Sequence, residues 1–348
     1  MGSKLISVLI LNYNGQTHLG KIFIDCLDSV LNTCYPNFEV LFVDNASTDC
    51  SVDIVRRKFG NNQKLRIIQN EQNFGFAEGN NRGINNSKGE YIALLNNDVI
   101  VDPNWLAEIT KSVESPEVGA AQSMLLQMQR PTFLDCSGGL LDFYGYHFER
   151  GRGEKFSSLK ENGGIFYAKG ASVLLKRKVL EKTGLFDPGI FMYFDEVDLC
   201  WRIWLSGCKV VYAPASIVYH ASGSTASAMQ LGSRLYFHTR NHLMVLLKNF
   251  DLKNAFTAAK VSILFETRNM ILFLARRKPL ISLSILRALI WNVLNLKQTW
   301  AKRQTVQRLV RIVTDQEIKQ HMLTPSPPFP LYLVFSGSKH QKMQRSDD

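Results

Sequence analysis

Three clusters of amide and carboxylate side chains punctuate the first hundred residues: Asn12-Tyr13-Asn14, Asp44-Asn45 and Asn96-Asn97-Asp98. Groups of this kind either hydrogen-bond a ligand or favour turns. An aspartate among them suits a hard cation such as Mg2+ or Mn2+, which takes few protein oxygens and completes its shell from substrate phosphates. Asp98, followed by Asp102 beside Pro103, is one candidate ligand, and the competing reading is a carboxylate that caps a turn. A second constellation, Asp195, Glu196 and Asp198, lies next to Phe191, Tyr193, Phe194 and Trp201. Carboxylates at a helix start are often only dipole partners. An aromatic setting can also raise one carboxyl pKa toward the range of a general base. His220 precedes a run of Gly, Ser and Ala, and is either structural or a metal ligand.

The polar clusters fall where alternating strands and helices would deliver them. Residues 5–11 (LISVLIL) read as a strand buried on both faces of a parallel sheet. Helical spacing follows over 19–31, a strand over 38–43, and a helix over 47–59 with Ser47 or Thr48 as N-cap. A strand at 65–68, a helix at 76–86 and a strand at 91–95 complete the pattern. This alternation predicts a doubly wound α/β sheet, and each polar cluster sits just past a strand's carboxyl end, where such sheets bind ligands. Residues 120–165, rich in glycine and aromatics, predict irregular or short antiparallel structure. Further on, the spacing predicts helix and turn at 171–184, a helix within 191–205 and short strands at 210–212 and 217–219.

Several function classes are excluded by what is missing. There is no GxxxxGK[ST], no GxGxxG after the first strand and no GxSxG. Six scattered cysteines without a CxxC pair argue against disulfide staples and structural zinc, and predict a reducing, cytoplasmic setting. The net charge of +11 is uneven. Residues 1–230 carry 22 Lys and Arg against 24 Asp and Glu, whereas residues 231–348 carry 19 against 6.

The blocks VLILNYNG, VLFVDNASTDCSVDIV, NEQNFGFAEGNNRGI, GEYIALLNNDVIVDPNWL and FMYFDEVDLCWRIWLSGCKVVYAPASIVYH occur in the order seen in glycosyltransferase family 2. The chain resembles that family, and within it the rhamnosyltransferase-like branch, over residues 5 to about 245. The resemblance implies a GT-A fold with a mixed sheet, and inverting transfer of a sugar from a nucleotide-diphosphate donor to an acceptor hydroxyl. It implies that Asn12, Tyr13, Asn14, Asp44, Asn73, Gly75, Phe76, Asn80 and Asn97 bind the nucleotide-sugar. Asn96-Asn97-Asp98 stands where the family has its DxD motif, so the metal contact would rest on Asp98, with His220 as the aligned metal-binding histidine. The Gly/Ser run after His220 would order over the diphosphate as a lid. The family's Glu-Asp pair appears reversed as Asp195-Glu196. Glu196 takes the aligned base position and Asp195 stays a candidate, although adjacent helical residues should point apart.

Residues 240–315 mix apolar helical stretches with regularly placed cations, and membrane attachment is expected within 246–315. Arg287 interrupts residues 280–296, which predicts amphipathic helices lying on an anionic membrane surface over a spanning segment. The expected organisation is a catalytic domain at 1–230 (donor side to about 120, acceptor side 121–230), a basic helical region at 231–315 and an extended tail at 316–348. The expected protein is peripheral on the cytoplasmic face of a membrane, acting on a glycan or lipid-linked acceptor without nucleic acid. The competing readings are an inactive nucleotide-sugar-binding protein, suggested by Asn96 and the reversed acidic pair, and a basic nucleic-acid binder.

Overall fold

In the computed structural model, which describes residues 3–158, 164–222 and 230–324, the first apolar run forms β1 (Ile6–Asn12). Helices α1 (Gly15–Leu19) and α2 (Lys21–Leu31) lead to β2 (Phe38–Asp44), α3 (Ser51–Phe59), β3 (Leu65–Gln69), α4 (Gly75–Asn85) and β4 (Tyr91–Asn96). Side chains alternate across β1. Val8 and Ile10 join Phe23 and Leu27 of α2 on one face, while Leu9 packs with Ala77 and Ile84 of α4 on the other. Both faces are covered, which is why the strand reads as an unbroken apolar run.

Next come β5 (Val99–Val101), α5 (Trp105–Ser112), β6 (Val118–Gln127), β7 (Arg130–Cys136), β8 (Gly139–Leu141), β9 (His147–Glu149), β10 (Ser172–Lys176), α6 (Arg177–Thr183), α7 (Asp195–Leu205) and β11 (Lys209–His220). The main sheet runs β3-β2-β1-β4-β10-β6-β11-β5, with β7 added on β6. The first four strands are parallel, and β10 enters antiparallel between β4 and β6. The structure departs from the sequence pattern in three places. Residues 172–176 are a strand before the helix at 177–183. The two short strands near Pro214 are one long strand whose pairing shifts between Ala213 and Ile217, where Pro214 has no N–H to donate. Ser47 does not cap α3, which begins at Ser51, because its hydroxyl is held by Asp44.

The C-terminal third forms α8 (Leu231–Asn249), α9 (Leu252–Ala275), α10 (Pro279–Leu294), α11 (Leu296–Thr305) and α12 (Asp315–Lys319). The chain is therefore still helical at 316–319, and Leu323 pairs back against the β8 end through Leu141 and Asp142. The helical region is not a separate unit either. Lys248 of α8 is buried between Asp187 and Asp198, 2.8 Å from each, and Lys302 of α11 adds a second contact to Asp187 at 2.5 Å. Arg202 pairs with Asp198 from within α7. These cations overcome burial and hold both aspartates below the usual carboxylate range.

Replacing Lys248 with Met should leave two buried carboxylates short of a partner and lower the unfolding free energy by about 3 kcal/mol, measured by urea titration. Because both folded pKa values lie below the unfolded value, this stabilisation is present above about pH 4 and falls away as pH drops further. The loss on acidification should be smaller in Lys248→Met.

Candidate active site

The donor-side cluster is built where β1, β2 and β4 end together. Asn12 and Asp44 are paired in register, and both are buried. Asn12 donates to an Asp44 oxygen at 3.0 Å and accepts from Asn97 at 2.9 Å. Asp44 also takes the Ser47 N–H (2.9 Å) and hydroxyl (2.5 Å), so of its roughly four acceptor directions about one is left. Asn14, in the left-handed conformation, accepts from the Thr48 N–H, and Tyr13 between them is exposed. Asn73 accepts from Gly75 N–H and from Asn45. Asn80 is buried, and its amide donates to the Phe76 carbonyl of its own helix.

Next to this cluster, β4 and β11 bring Asp98 and His220 together. His220 Nε2 lies 3.2 Å from Asp98 Oδ1 and 3.5 Å from the Asn96 amide. The far ring nitrogen, Nδ1, is held by Asp135 at 2.8 Å, and Ser222 donates to the other Asp135 oxygen at 2.6 Å. Asp135 in turn meets Lys169 (3.2 Å), which also pairs with Glu149 at 2.8 Å. Despite burial, His220 and Lys169 hold the Asp135 carboxyl far below its ordinary range. Asp135, at the end of β7, and Lys169 escape sequence reasoning. The available signal is the aspartate that breaks the apolar run TFLDC.

On the acceptor side, Glu196 is half-buried and its Oε1 accepts from the Gly170 N–H at 2.9 Å. Asp195 is buried, its Oδ1 accepts the Glu196 N–H at 3.1 Å, and burial together with the adjacent Glu196 carboxyl pushes its own carboxyl well above the usual carboxylate range. The expectation that Asp195 points away is thus corrected. At the first helical residue the side chain is free to fold back, and the two carboxyls form one unit. The preceding Tyr193 and Phe194 both have positive φ (64° and 67°), a costly conformation for bulky residues. Asn241 of α8 holds it by donating to the Met192 and Tyr193 carbonyls at 2.8 and 3.0 Å, while His242 stacks on Phe194.

Two glycines join the halves of the site. Gly75 has φ 76°, and a Cβ there would come within 2.3 Å of the Phe191 carbonyl, which accepts from Phe76 N–H. A Cβ on Gly170 would meet Phe76 Cζ at 2.5 Å and Glu196 Oε1 at 3.0 Å, so the donor-side ring and the acceptor-side carboxylate converge there. The proposed lid falls at 223–229, outside the described residues.

Residues 7–184 match the family described as Glycosyl transferase family 2, just over half the chain. The chain belongs to glycosyltransferase family 2. Glycosyltransferase GlyG of Streptococcus pneumoniae is 33% identical over 115 residues, covering 33% of this chain and 37% of that protein. The O-antigen biosynthesis protein RfbC of Myxococcus xanthus is 27% identical over 230 residues, 64% of this chain and 18% of that protein. The chain thus spans well under half of these curated relatives. The fold is shared with a mannosyltransferase of Pyrobaculum calidifontis solved with GDP-Man and Mn2+ (TM-score 0.53, 17% identity, 83% of this chain and 86% of that one). It is also shared with TarS of S. aureus solved with UDP-GlcNAc (TM-score 0.52, 16% identity, 74% and 71%). These likenesses make the fold GT-A.

Gly170→Ala, which forces Phe76 or Glu196 to move, should cost roughly 1–3 kcal/mol by overpacking. In thermal denaturation it should be the less stable variant beside Gly164→Ala, where a Cβ meets nothing within 4 Å.

Proposed function

We propose that this family 2 chain is an inverting glycosyltransferase that uses a divalent cation to move a sugar from a nucleotide-diphosphate donor to a hydroxyl of a glycan or lipid-linked acceptor. The observation that carries this reading is the meeting of Asp98 and His220 at 3.2 Å beside the Asn12–Asp44 cluster. The donor set fits Mg2+ or Mn2+. One hard carboxylate oxygen and one imidazole nitrogen converge, and Asp135 holds the ring through Nδ1, so that a cation taking Nε2 would find the imidazole already oriented. Among the described residues no group of three His, Cys, Asp or Glu side chains gathers as a cation site, which suits an ion whose remaining ligands are phosphate oxygens. Bound there, the cation would supply charge neutralisation to the departing diphosphate.

The rest of the chemistry falls to side chains of this chain. Asp44, Ser47 and Asn12 form a rigid floor for the nucleoside, with Tyr13 available on the open side. Phe76 stands between donor and acceptor pockets. Glu196 removes the acceptor proton as the anomeric carbon gains oxocarbenium character. The Gly170 N–H holds one of its oxygens, and the buried Asp195, its carboxyl pushed well above the usual range, packs beside it as a positioning partner. The base is then the aligned glutamate.

Glu196→Gln should lower kcat by roughly 10²–10⁴-fold with donor affinity unchanged, whereas Asp195→Asn, which keeps a neutral hydrogen-bonding group, should retain most of the rate. The opposite ranking would assign the base to Asp195. EDTA and Asp98→Asn should each abolish transfer in a nucleotide-release assay. Asp135→Asn should weaken apparent Mn2+ affinity by about 10–100-fold, with activity recovered at high Mn2+. Full turnover by Asp98→Asn would remove the cation from this place.

A further inference from the structure

Helices α9 and α10 are inside out. A helix packed on a globular domain normally buries its large apolar residues and exposes small or polar ones. In α9 the buried face carries Ala255, Ala258, Ala259, Ser262, Glu266 and Asn269, with Phe273 as its one large apolar side chain. The exposed face carries Phe256, Ile263, Leu264, Ile271 and Leu274. At about 100° per residue these two sets lie on opposite sides of the helix. The same inversion holds in α10, which buries Ser282, Ile285, Ala288 and Asn292 while Leu280, Leu283, Ile290, Val293 and Leu294 face outward. Leu280 is 77% exposed and Leu294 76%, values that water alone does not favour. The two helices form a hairpin closed by Arg276, Arg277 and Lys278, so the outward stripes belong to one layer.

The charge around these stripes has one sign. From Leu252 to Thr314 the one carboxylate is Glu266, and it is buried. Lys253, Lys260, Arg268, Arg287 and Lys297 are all exposed beside the apolar residues, and Trp300 of α11 is half-exposed next to them. Small residues between helices, large apolar residues outside and cations at the margin are the arrangement of helices that lie against lipid. Among the described residues no single helix is long and apolar enough to cross a bilayer, and α10 with the following helix is bent by 62°. We infer that the outer face of α9 and α10 docks in the headgroup layer of an anionic lipid bilayer, with the helices parallel to the surface.

The inner face of this layer rests on α8, whose Asn241 and Lys248 hold the segment leading to Glu196. The lipid surface is then one helix layer, about 10 Å, from the helix that fixes the acceptor side. An acceptor whose reactive hydroxyl lies close to a bilayer would be met there. This last step rests on the glycosyltransferase reading, and the docking itself does not.

The test is vesicle flotation of the full chain, which needs no turnover. The protein should float with phosphatidylcholine vesicles containing about a third phosphatidylglycerol, bind pure phosphatidylcholine at least tenfold less, and be partly released by 0.5 M NaCl. A fourfold variant, Leu264→Gln with Ile271→Gln, Leu283→Gln and Ile290→Gln, should lose at least tenfold in bound fraction. So should the triple variant Lys260→Gln, Arg268→Gln and Arg287→Gln, with melting temperature held in both. Equal flotation of the fourfold variant would overturn the proposal. So would a native chain that ignores vesicles and instead forms a dimer, in sedimentation, that the fourfold variant dissolves. Retention through both high salt and alkaline carbonate would replace docking with insertion across the bilayer.

Discussion

One buried lysine fixes the span of the segment that carries the acidic pair. Lys248 bonds Asp187 and Asp198, which lie at the two ends of the segment that contains Tyr193, Phe194, Asp195 and Glu196. Closing that segment into a loop of fixed span leaves its backbone little freedom. The Asn241 amide then holds the carbonyls at 192 and 193 in place, and two bulky residues accept positive φ. Such strain persists only where surrounding contacts over-determine it. The acidic pair at the start of α7 is therefore positioned by a helix that follows it by some fifty residues, and the packed unit around it does not end at residue 230.

The polar groups of the candidate site are held by the same kind of neighbour control. Asp135 meets His220 Nδ1, and Lys169 with Glu149 holds Asp135. Burial and the neighbouring Glu196 push the Asp195 carboxyl well above its usual range. Each candidate group is thus backed by a second one, which is how a buried polar cluster on a mixed sheet keeps its geometry.

The donor half was legible in the sequence because parallel strands buried on both faces leave unbroken apolar runs, and the polar residues that end them stand out. Asn12, Asp44 and Asp98 are found in this way, and the structure brings the strands' ends together. The acceptor half was harder to read. Residues 120–127 lie in β6, inside the sheet between β10 and β11, while β7 is added on β6 and β8 and β9 form a separate two-stranded sheet; these short pieces alternate weakly, so nothing in their spacing marks Asp135. Asp195 was misjudged because the rule that adjacent residues diverge applies to a helix interior and not to its first residue. The contribution of Asn241 and Lys248 depends on contacts across some fifty residues, which periodicity cannot register.

The dependence of Glu196 on α8 also has a meaning in time. A ribosome delivers Glu196 before it delivers Asn241 and Lys248, and at about 5–20 residues per second the gap lasts several seconds. During that interval the strands of the donor half are already available to pair, but nothing yet compels Tyr193 and Phe194 into their unusual backbone. A nascent chain can gain the polar floor of β1, β2 and β4 first and the fixed placement of Glu196 only once α8 emerges. The acidic pair thus settles just before the chain that forms the outward apolar faces of α9 and α10, and a chain stopped short of α8 has neither.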